Sequence, residues 1–113
     1  MPDKAEKARR KEILHSVRED MRRKVRNSLP VAVPVLKALF DYVDSQLEST
    51  ECDHSLRHVR EFIRSHDLPE DAVVVWLENN GGYCDCEALM NAEQVLQEAV
   101  PGYDDIAPSS NAQ

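Results

Sequence analysis

The chain reads as a mainly α-helical protein, a small helical domain with an N-terminal basic helix and one structural zinc as a staple. Three observations lead there. Apolar residues recur at a helical period in segment after segment, and prolines and glycines stand where helices should begin and end. Two short cysteine and histidine pairs, Cys52-x-His54 and Cys84-x-Cys86, lie about thirty residues apart. Zinc takes four such ligands in a tetrahedron.

Residues 3–27 predict one polar helix, rich in good helix formers. Ile13, Leu14, Val17, Met21 and Val25 form a narrow apolar stripe along it. Glu19 and Asp20 stand at helical pair spacing from Arg22, Arg23 and Lys24. A stripe this thin predicts weak packing or fraying. SLPVAVP, residues 28–34, breaks the chain, because proline disfavours helix just before itself.

Pro34 opens a second helix to about Leu47, with Val35, Leu36, Leu39, Phe40, Val43 and Leu47 inward. Asp53 or Ser55 is placed to cap a third, which runs to about His66 and turns Leu56, Val59, Phe62 and Ile63 inward. Pro69, Glu70 and Asp71 mark the start of a fourth, and Asn80-Gly81 its stop. Its centre, AVVVWL, also suits a buried strand, since valine favours sheet. The flanking signals favour helix over residues 72–77. A last helix runs from about Glu87 to Val100, with Leu89, Met90, Val95 and Leu96 apolar. Trp76, Phe40 and Phe62 read as core. Residues 1–28 thus form a basic arm, 29–100 a compact helical domain, and 101–113, rich in Pro, Ser, Asn and Asp, a disordered tail.

The chain has 113 residues, 42% hydrophobic, which suits one modest core. The net charge of −7 hides a division: residues 1–28 hold ten Lys/Arg and five Asp/Glu, whereas residues 29–113 hold four and sixteen. No apolar run approaches the ~20 residues of a membrane span, and MPDKAEKARR has no apolar signal core. A cytoplasmic protein is expected. Three cysteines cannot all pair within the chain, and clustered cysteines in a reducing compartment point to metal or redox chemistry.

The expected zinc ligands are Cys52, His54, Cys84 and Cys86, with His58, one turn beyond His54, as the alternative fourth ligand. Gly81 and Gly82 supply the bend that lets alternate residues converge on one ion. Asp53, Asp85 and Glu87 are placed as outer acceptors that orient His54. His66 reads as a buried or capping histidine and His15 as a solvated one. Two competing readings remain: three incidental thiols, or redox use of Cys84 and Cys86. A C-x-C disulfide would close a tight, strained ring, which disfavours redox use.

The runs CDHSLRH…F and WLENNGGYCDCEALMN resemble a group of small bacterial proteins classed only as a domain of unknown function. The resemblance covers residues 29–95, and Gly81 to Glu87 is its most specific block. Ala88 stands where that group typically has valine. The resemblance implies a bacterial cytosolic protein and brings no activity with it.

The expected function is that of a zinc-stapled binding or adaptor module with a protein partner. Three thiolates leave a bound ion electron-rich and a poor Lewis acid, which disfavours catalysis. A nucleic-acid-associated regulator, gripping phosphates through residues 4–26, is the alternative. The strongly acidic body and the lack of interleaved aromatics weigh against it. A metal-dependent enzyme is third. There is no phosphate-binding loop and no Gly-x-Ser-x-Gly. The arm's stripe also suits self-association through the N-terminal helix.

Overall fold

The computed structural model describes the backbone of residues 4–109 and the side chains of residues 16–109. Among the described residues there is helix and no strand. The order is α1 (Lys4–Asn27), α2 (Val33–Ser49), α3 (Arg57–Ser65), α4 (Glu70–Asn79), α5 (Asp85–Glu87), a π turn (Ala88–Ala92), α6 (Glu93–Ala99) and a 3-10 turn (Tyr103–Asp105). No helix among the described residues is long and apolar enough to cross a membrane.

The core collects where the inward faces of α2, α3, α4 and α6 meet. Val35, Leu36, Leu39, Phe40 and Val43 of α2 are buried against Val59, Phe62 and Ile63 of α3. Val73, Trp76 and Leu77 of α4 and Ala92, Leu96 and Ala99 at the C-terminal end close it. Removing such side chains from water supplies about 1.5–3 kcal/mol each, the main term in holding a fold of this size.

AVVVWL is helix. In α4 Val73, Val74, Trp76 and Leu77 are buried while Val75 is 53% exposed. Packing on the core from one side overrides the strand preference of the valines. Gly81 stops the helix in the left-handed region, with φ of 81°. Its N–H reaches Glu78 O at 3.1 Å, and the Gly82 N–H reaches Leu77 O at 2.8 Å, which satisfies the last carbonyls. α2 begins one residue before Pro34, at Val33.

α1 lies along α6. Val25 packs against the core, and Arg26 donates to Ala99 O at 2.8 Å while holding Glu19 at 2.9 Å. Arg22 pairs with Glu19 and Arg23 with Asp20. Val17 and Met21 of the stripe are exposed; the side chains of Ile13, Leu14 and His15 lie outside the described residues.

Three expectations need correcting. Neither Asp53 nor Ser55 caps α3; its N-cap residue is Leu56, which offers no side-chain cap. The final helix starts two residues early, at Asp85, and passes through a π turn. Met90, read as apolar-face, is 67% exposed there. Residues 101–109 are not a structureless tail. Gly102 turns the chain at φ 71°, Tyr103 is buried, Ile106 packs on the core and Ser109 N–H donates to Pro34 O at 3.0 Å. Composition pointed to disorder, but one aromatic with a place in the core overcomes it. Residues 110–113 lie outside the described set.

Candidate metal centre

Two loops build the site. The first leaves α2 at Thr50, whose N–H and hydroxyl both cover Gln46 O, and carries Cys52. Asp53 Oδ1 then accepts the Ser55 N–H and hydroxyl, folding residues 53–55 into a tight local turn. The second loop runs from Gly81 to Cys84. Gly82 is buried, and a β-carbon there would sit 3.0 Å from Ala88 Cα, so any side chain would press this loop off the start of the last helix.

The loops are stitched by Asp85. Its N–H donates to Ser55 O at 2.9 Å. Its carboxylate, 1% exposed, accepts the His58 N–H at 3.0 Å and the Val59 N–H at 3.2 Å. Asp85 is therefore the missing cap of α3, delivered from the other loop. The cysteines on either side of it are thereby carried to Cys52.

The sulfurs of Cys52, Cys84 and Cys86 all lie within 4.8 Å of one another. Cys84 and Cys86 are 3.3 Å apart, and no cysteine is in a disulfide. Cys84 is buried and the other two are half-buried. Burial pushes the Cys84 thiol up to about 12. Cys52 behaves in the opposite way. Burial raises it too, but the backbone N–H groups of Cys86 and His54 face its sulfur and hold the thiol below its ordinary value. Three sulfurs with oriented amides are the kind of donor set that suits a soft or borderline cation.

The histidines fall elsewhere. His54 is exposed, in the left-handed region at φ 67°, and its ring is not part of the cluster. That backbone turn aims its N–H, rather than its imidazole, at Cys52. His58 is buried and both ring nitrogens are engaged: Nδ1 lies 3.2 Å from Glu61, Nε2 3.1 Å from Thr50 Oγ1 and from Arg57. His66 stacks on Phe62 with ring centres 4.0 Å apart and meets Phe62 O through Nδ1, the capping role expected of it. Neither Asp53 nor Asp85 orients His54, because both carboxylates bind backbone N–H groups. Glu87 does approach the cluster, with Oε1 3.5 Å from Cys84 Sγ. Sequence reasoning missed the burial of Asp85; its partners lie 26 and 27 positions away and leave no local signal.

Residues 39–91, which span both loops, match a family described as "Protein of unknown function (DUF2695)". The chain is 37% identical over 93 residues to an uncharacterized protein of Mycobacterium bovis and to uncharacterized proteins of two strains of Mycobacterium tuberculosis. Each match covers 81% of this chain and 90% of the relative. No solved structure matches the chain. Shared length and identity on this scale place it with these bacterial proteins: the chain belongs to the DUF2695 family.

Proposed function

We propose that the protein is a metal-stapled binding module in which Cys52, Cys84 and Cys86 hold one zinc ion between the α2–α3 loop and the start of the last helix. One observation carries this reading: three sulfurs from segments about thirty residues apart converge to within 4.8 Å without forming a disulfide. Incidental thiols have no reason to meet around a common centre, least of all with backbone amides turned toward Cys52. Zinc suits the set because it is redox-inert and favours tetrahedral sulfur ligation. Thiolate donors damp its Lewis acidity, so the ion serves structure, and the function is that of an adaptor toward another protein.

The test is elemental analysis of protein purified without a histidine tag, alongside Cys84→Ser. About one zinc per chain is expected, lost in the variant together with thermal stability. A folded, metal-free protein whose three thiols titrate freely would overturn the reading.

A further inference from the structure

The three sulfurs leave a tetrahedron one ligand short, and the sequence offered His54 or His58 to complete it. We propose instead that Glu87 Oε1 is the fourth ligand, so that the centre is Cys52, Cys84, Cys86 and Glu87. This inference rests on the metal reading above and adds the identity of the ligand that closes the site.

Geometry points to it first. Zinc–sulfur bonds of about 2.3 Å and zinc–oxygen bonds of about 2.0–2.2 Å, set at tetrahedral angles, put sulfur and oxygen roughly 3.5–3.7 Å apart. Glu87 Oε1 already stands 3.5 Å from Cys84 Sγ. The same construction puts two sulfurs about 3.8 Å apart. Cys84 and Cys86, at 3.3 Å, need to open by only a few tenths of an ångström to admit an ion.

Charge points the same way. Glu87 is half-buried, and among the described residues no arginine, lysine or histidine forms an ion pair with it. Among the described residues, its carboxylate meets the Cys84 sulfur. A carboxylate beside the Cys84 sulfur, at the edge of the three-sulfur cluster and with no cation paired to it, is an arrangement that a divalent ion resolves. The helix start explains how it gets there: Cys84 is the extended N-cap residue and Glu87 the third residue inside, the two positions whose side chains turn toward each other at a capped helix end. His58, in contrast, is committed to Glu61, Thr50 and Arg57.

A carboxylate is the hardest and most weakly held donor in such a set. Glu87 is therefore the ligand that an incoming thiol or chelator displaces, and the point at which the ion enters and leaves.

The test loads the full chain with cobalt(II) alone and reads two quantities: the sulfur-to-cobalt charge-transfer and ligand-field bands, and affinity in competition with a chromophoric chelator. Glu87→Gln should bind at least about tenfold more weakly, with shifted ligand-field bands and unchanged charge-transfer intensity. Glu87→Cys should keep a tetrahedral spectrum and raise the charge-transfer intensity by about a third, from three thiolates to four. His54→Gly should match wild type in both readouts. Glu87→Gln with wild-type affinity and spectrum, or loss of binding in His54→Gly, would overturn the assignment while leaving the cysteine site standing. Failure of the wild-type chain to take up cobalt would instead overturn the metal reading and this inference with it.

Discussion

The carboxylate of Asp85 accepts the backbone N–H of His58 at 3.0 Å, so the residue between two cysteines caps a helix 27 positions earlier in the chain. Its other oxygen takes the Val59 N–H. Helix capping and assembly of the cysteine cluster are thus one structural event. Asp85→Ala leaves two helix N–H groups buried without partners and should cost roughly 2–3 kcal/mol. Asp85→Asn keeps one acceptor and turns an amide toward the other N–H, so it should fall between. Urea denaturation with chelator present reads this cost apart from any metal. A change within error for Asp85→Ala would show that the cap is dispensable.

His54 gives a prediction of opposite sign. Its backbone sits at φ 67°, where a side chain costs free energy and glycine does not. Because only its N–H faces Cys52, His54→Gly should stabilise the protein by roughly 0.5–1 kcal/mol and leave its zinc content unchanged. Thermal melts with parallel metal analysis check both halves. A destabilised, metal-free variant would return the imidazole to the ligand set.

Glu93 predicts a pH dependence. Burial holds its pKa above the ordinary carboxylate value; the Tyr103 hydroxyl, donating at 2.8 Å, pulls it down, and Asp41, Asp44 and Asp104 push it up. Lys37 sits over the Tyr103 ring, with Nζ 5.0 Å from the ring centre. A pKa raised by folding means the native state holds the proton more tightly than the unfolded chain. The stability this gives is full below the unfolded value and lost as pH rises through the folded one. Glu93→Gln imitates the protonated form and still accepts from Tyr103. It should melt a few degrees higher than wild type at pH 7, with the gap closing as pH falls toward 4. Equal melting temperatures across that range would refute the assignment.

The helices were legible because their boundaries are local. Pro34, Pro69 and Gly81 act through their own backbone, and the periodic apolar positions of α2 and α3 need no knowledge of the partner face. The cysteines were legible by residue type. The place of the histidines was not, because spacing treats Cys52 and His54 as equals. Only the backbone shows that the residue two beyond Cys52 offers its N–H. Asp85 and Tyr103 escaped for a related reason. An aspartate between cysteines, and a tyrosine in a run rich in proline and aspartate, look solvated until the elements that cover them are in place.

The π turn at Ala88–Ala92 has a geometric consequence of its own. Closing its bonds at i→i+5 inserts one residue more than an α-helix would, and each residue turns a helix by about 100°. The two ends of the final helix are therefore phased by count. Cys84 and Cys86 face Cys52 at one end while Leu96 and Ala99 face the core and α1 at the other. The wide turn absorbs that residue around Met90, 67% exposed at its middle, so both ends keep the faces they present. Wound as regular α-helix, the same count would swing the rear half by more than a quarter turn against the front.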